Sequence, residues 1–189
     1  MLRGIFLGAV LLGASAGAAF ADDGHRCKLT PDDKIANAKL SFEEFDQTGT
    51  LPSTWRALMN RNCPGRAAEA ADDYLINGPP QTPEHKSDLL FHEAQALAIM
   101  GDNAQASRLV AAAIMPDRSM HGDLDWTTYL VGTWAFLVNN RAALDAATAK
   151  LAAEPGEGNR INADVLRGLS DCFDKDYDTA YNRCRPKAR

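Results

Sequence analysis

Two segments decide how this chain folds: residues 94–106, AQALAIMGDNAQA, and residues 132–144, GTWAFLVNNRAAL. Each reads as the end of one helix, a tight turn at Gly101-Asp102 or Asn139-Asn140, and the start of a second helix. Small residues, Ala94 and Gly132, stand seven places before the turn in both, where two helices cross closely. Five places after it stand Ala106 and Leu144, again small or apolar.

The same arrangement extends outward in both directions. Anchored on Gly65, Gly101, Asn139 and Lys175, the turns recur at intervals of 36, 38 and 36 residues. Gly168 matches Ala94 and Gly132, while Ala70 and Ala180 match Ala106 and Leu144. A fixed period of this size marks stacked helix–turn–helix units. Gly and Pro collect in breaks at 77–80, 115–117, 121–123 and 154–156, and no alternating β-branched run is long enough for a strand. The windows between breaks predict helices over 53–61, 66–76, 85–100, 104–114, 126–138, 142–153, 163–173 and 178–183, with Ser53, Asp125 and Asn162 as N-caps.

These fragments, with the Asp176, Tyr177 and Ala180 segment, resemble the tetratricopeptide repeat over residues 52–184, with the family's tryptophan and proline positions mostly absent. The resemblance implies an all-α fold of antiparallel helix pairs stacked as a short solenoid, whose first helices line a concave groove for a polypeptide. Ten residues before the anchors, a groove-lining position of that family, stand Trp55, Phe91, Tyr129 and Val165. Six before them stand Met59, Gln95, Thr133 and Leu169, with Trp126 and Phe136 nearby. Rigid aromatics anchor interfaces. The expected binding residues are therefore Trp55, Phe91, Gln95, Trp126, Tyr129, Thr133 and Phe136. Aromatics on the apolar face of a helix also build cores, and the sequence leaves both uses open.

The N-terminus sets the expected compartment. Residues 1–21 carry one basic side chain, Arg3, an apolar run from Ile5 to Leu12, and an Ala19-Phe20-Ala21 cleavage signature. That apolar run is far short of the about 20 residues needed to span a bilayer. We expect a cleaved signal peptide (1–21), an N-terminal extension (22–51) and a helical-repeat domain with a basic tail (52–189), in a periplasmic or secreted protein. After cleavage no membrane insertion is expected.

The 168 residues that remain carry 19 basic and 25 acidic side chains, a net charge of −6. This balance argues against nucleic acid, which is bound through an excess of Lys and Arg. Four cysteines with no C-x-x-C spacing favour two disulfides over a redox pair or a zinc site. Cys27–Cys63 with Cys172–Cys184 is preferred among three pairings, since each bridge would staple one end. An axial offset of about 6 Å counts against the second bridge if both flanking helices are regular.

Chemistry-bearing constellations are sparse. His92-Glu93 resembles half a zinc-protease motif, but Ala96 stands where the second histidine belongs. Residues 46–51 resemble a calcium loop with its glycine two places early and Ala57 in place of the bidentate acid. No G-x-S-x-G element and no phosphate loop is present. No cofactor, no metal and no catalytic residue is expected. The sequence points to an adaptor or assembly factor that binds a polypeptide or protein partner. The alternatives are an inhibitor or immunity protein of an enzyme, and a small helical hydrolase or metal-handling protein.

Overall fold

A computed structural model describes residues 26–115 and 120–186. The expected signal peptide, residues 22–25 of the extension, and Lys187 and Arg189 of the basic tail lie outside the described residues.

The chain is all-α. Nine α-helices follow one another among the described residues: α1 Pro31–Asn37, α2 Trp55–Asn60, α3 Pro64–Asn77, α4 Pro83–Ile99, α5 Asn103–Ala113, α6 Trp126–Leu137, α7 Arg141–Ala153, α8 Glu157–Asp171 and α9 Tyr177–Asn182. A π-turn at Glu43–Thr48 and a two-residue antiparallel pair, β1 Met120–His121 with β2 Leu124–Asp125, complete them. Most helices pack against their neighbours in sequence, and short turns between them make the pairs antiparallel. Three helix contacts break that order: α1 touches α3, α6 also touches α8, and α9 folds back onto α4.

The turn chemistry explains the pairing. Asn62, Gly101 and Asn139 all adopt the left-handed conformation, with φ of 59°, 86° and 57°. Immediately after each, a backbone N–H reaches back five residues: Cys63 to Leu58 O at 3.0 Å, Asp102 to Leu97 O at 3.0 Å, Asn140 to Ala135 O at 2.8 Å. This closure satisfies carbonyls that a helix end leaves orphaned, and Gly and Asn enter the left-handed region at least cost. Asp102 and Asn140 then cap the next helix through Gln105 N and Ala143 N. The repeated landmarks therefore lie at 62, 101 and 139, intervals of 39 and 38.

That spacing corrects the register of the first pair. Pro64 and Gly65 do not form the turn; they open α3, with Pro64 in the first helical turn, where its missing N–H costs nothing. Counted from Asn62, Trp55 falls at the position of Ala94 and Gly132, not at that of Phe91 and Tyr129. The later small residues mark close crossings. A Cβ on Gly132 would lie 2.5 Å from Leu166 Cδ1, and one on Gly168 would lie 2.8 Å from the Arg185 backbone nitrogen.

Other differences have local causes. Helix α8 starts six residues before the predicted Ala163, because Asp123 from the β-pair accepts a hydrogen bond from Gly158 N at 3.0 Å and supplies the cap. Asn162 instead bonds back to Gly158 O within the helix. Thr54, not Ser53, stands at the N-cap of α2, and Ser53 pairs with Asn37. Residues 26–51, expected as an extension, belong to the N-terminal core: Phe45 stacks on Tyr74 at 4.0 Å, and Tyr74 donates its hydroxyl hydrogen to Leu40 O at 2.8 Å.

Both preferred disulfides form, with Cα separations of 5.4 Å for Cys27–Cys63 and 6.2 Å for Cys172–Cys184. The anticipated offset is absorbed because α8 ends at Asp171, before the cysteine, and α9 has six residues. Two disulfides suit an oxidising, extracytoplasmic environment. Among the described residues no helix is long and apolar enough to cross a membrane.

Candidate binding cleft

All seven residues expected to line a groove are buried. Phe91, Trp126 and Tyr129 form one aromatic cluster, with Phe91 edge-on to Trp126 at 5.2 Å and to Tyr129 at 5.4 Å. Trp126 Nε1 donates to Ser87 Oγ at 3.0 Å, and Ser87 in turn donates to Ala113 O. Phe136 meets the rings of Phe173 and Tyr177 at 5.8 and 5.9 Å. Thr133 is 1% exposed, and its hydroxyl has no hydrogen-bond partner among the described residues. The expectation of an open aromatic groove is thus corrected for Phe91, Trp126, Tyr129, Thr133 and Phe136, which build core.

For Gln95, Tyr129 and Phe136 the physical reason is α9. Its Tyr177 is fully buried, its hydroxyl lies 3.4 Å from Gln95 Nε2, and Tyr181 stacks on it at 5.4 Å. Burial raises the Tyr129 hydroxyl well above its ordinary pKa, and Tyr181 and Tyr177 beside it add to the shift. Burial raises Tyr177 in the same direction. Both phenols therefore stay neutral donors at any physiological pH.

Where α9 ends its coverage, a cleft opens between α2, α4 and α9. Trp55 and Gln95 reach it, together with Arg56, Met59, Asn60, Asn62, Ile99, Tyr181 and Asn182. Its volume is about 260 Å³. Through Asn62, Pro64, Ile99 and Asp178 it continues into a wider depression of about 900 Å³ beside the Cys27–Cys63 disulfide. Arg26, Arg66 and Met100 border this second part, with Asp176 and Asp178 across from them. Apolar floor, carboxamide edges and charges of both signs are what a polypeptide segment presents in return.

Beneath the cleft lies a cluster that the sequence did not announce. Asp46, fully buried in the π-turn, accepts from His92 Nδ1 at 2.7 Å and from Gln47 Nε2 at 2.5 Å. Its carbonyl accepts from Arg56 Nε at 2.9 Å. Trp55 stacks on His92 at 4.4 Å, and the Arg56 guanidinium lies 4.4 Å from the Trp55 ring centre. Trp55 Nε1 also donates to His92 O at 3.1 Å. Asp46 and His92 come from the two motifs that resembled a calcium loop and half a zinc site, 46 residues apart. Their meeting cross-links the π-turn, α2 and α4, and satisfies a carboxylate that burial would otherwise penalise. No Ser, Thr or Cys side chain hydrogen-bonds to His92 among the described residues. Nor does any group of three or more His, Cys, Asp and Glu among these residues form a metal-binding set.

The neighbouring carboxyl behaves differently. Glu93 is 5% exposed and makes no hydrogen bond or ion pair among the described residues. Burial, and secondarily the charge of Asp72, pushes its pKa up to about 7. Against family models, curated proteins and solved structures alike, the chain finds no match.

Proposed function

We propose that this protein is an exported, periplasmic interaction module of tetratricopeptide-like helix pairs, an adaptor or assembly factor that holds an extended segment of a polypeptide partner. The supporting observation is the cleft between α2, α4 and α9, where Trp55, Met59 and Ile99 offer apolar surface beside the carboxamides of Asn60, Asn62 and Gln95. Carboxamides donate and accept at once, which matches the alternating N–H and C=O groups of an extended main chain. The repeated turns at Asn62, Gly101 and Asn139 support the repeat assignment. The two disulfides and the signal-like residues 1–21 support export.

The direct test is in-cell photo-crosslinking. A photoreactive side chain at Met59, in the cleft, should capture a discrete partner, and one at Ile76, an exposed position on α3, should not. Capture should fall at least tenfold when Gln95→Ala and Asn60→Ala are combined. Equal capture from both positions, or none from Met59, would sink the reading.

A further inference from the structure

Helix α9 serves two parts of the molecule at once. It walls both sections of the cleft through Asp178, and it covers the aromatic stripe through Tyr177 and Tyr181. A six-residue helix does not persist by itself, so its place depends on the packing of Tyr177 and Ala180 and on what holds its ends. The Cys172–Cys184 disulfide brackets the whole of α9, joining the end of α8 to the residue just past Arg183. Beyond it, the Arg185 guanidinium makes one exposed bond, to Ile161 O at 3.2 Å.

The two disulfides are not equally open to attack. Cys63 is 3% exposed, and its sulfur is covered by the Arg26 and Arg61 carbonyls at 3.8 and 3.6 Å. Cys27, Cys172 and Cys184 are all half-buried, so the first bridge offers one approachable sulfur and the second offers two. Thiol–disulfide exchange requires an attacking thiolate to approach one sulfur along the bond, and exposure decides where that is possible.

We propose that Cys172–Cys184 is a reducible clamp that sets whether α9 covers the aromatic stripe. A dithiol reductant is the co-reactant. Its first thiolate attacks one sulfur, forms a mixed disulfide and expels the other cysteine as thiolate. Its second thiolate then attacks the reductant's own sulfur in that mixed disulfide and releases the remaining cysteine. The reductant leaves as a cyclic disulfide, two electrons stay on Cys172 and Cys184, and each takes up a proton. Opening the clamp uncovers Gln95, Tyr129 and Phe136 and removes one wall of the cleft. This device does not depend on what the cleft binds.

Bridging a loop of this length restricts its open states by roughly 100-fold on the chain-entropy model. Amide exchange in residues 176–182 of the mature protein should accelerate by on the order of 100-fold on reduction, with α3 and α4 unchanged. Thiol alkylation and mass analysis during titration with dithiothreitol should find Cys172 and Cys184 labelled before Cys27 and Cys63. The double variant Cys172→Ser with Cys184→Ser should reproduce the exchange pattern without reductant. If that variant does not fold, the reduced wild-type protein carries the measurement. Exchange in 176–182 that changes less than threefold on reduction overturns the proposal. So does reduction of Cys27–Cys63 first or at the same rate, and so does loss of protection throughout α3–α7.

Discussion

Replacing Gly132 by alanine should destabilise the protein, although alanine is the better helix former. Gly132 sits inside α6, where the change alone gains up to about 1 kcal/mol in helix propensity. Its new methyl would lie 2.5 and 2.8 Å from the two Leu166 methyls and 3.2 Å from Ala147 Cβ. Leu166 is fully buried on α8 and cannot swing away freely. Overpacking of this kind costs about 1–3 kcal/mol, so the balance falls at a net loss of up to about 2 kcal/mol. The sign should reverse once the obstacle is removed. Leu166→Ala alone should cost about 2–5 kcal/mol, and Gly132→Ala added to it should recover about 1 kcal/mol or more. Urea melts of the four proteins, with the slope checked for constancy, measure this coupling. A wild-type background in which Gly132→Ala stabilises by its full propensity gain would refute the close crossing of α6 and α8.

Tyr129→Ala should cost about 3–5 kcal/mol in the same melts, the usual loss for a buried aromatic, with Phe91 and Trp126 left around a void. A loss below about 1 kcal/mol would return Tyr129 to the surface. Glu93 should make stability fall as pH rises. Its proton is held more tightly in the folded state, so its contribution is fully present below about pH 4.5 and lost as pH passes about 7. Glu93→Gln should flatten that slope and raise stability at pH 8 by at most about 3 kcal/mol, read from melts at pH 5.5 and 8. Protein recovered from the periplasm should begin at Asp22, and Edman sequencing that finds Met1 on the main species would end the export argument.

Local chemistry made much of this architecture readable. Gly101 and Asn139 announce themselves because few residues enter the left-handed region, and Ala94 and Gly132 because few sequences keep small residues at matched offsets. The first pair misled for the same local reason: Pro64-Gly65 looks like a turn, yet proline is equally at home in the first turn of a helix. Which residues would be covered was not readable, since Tyr177 reaches Gln95 across 82 positions. The Asp46–His92 contact was hidden likewise. Nothing near Asp46 distinguishes a failed calcium loop from a π-turn whose carboxylate waits for a distant imidazole.

The stack of Phe45 on Tyr74 closes one edge of the N-terminal core. A helix pair that packs on neighbours at both sides has two adhesive faces, and a row of such pairs has one at each end. Here the upstream end is closed by a segment unlike the pairs: α1, held by its own Thr30–Asp33 capping box, and the π-turn that delivers Phe45. Without them Leu58, Tyr74 and the alanines of α3 would form an apolar edge, shaped by the same turn chemistry as the units that follow. Such an edge can accept another copy, and heterologous contacts that do not close propagate into fibres. Residues 26–51 thus cover an apolar edge that would otherwise face solvent.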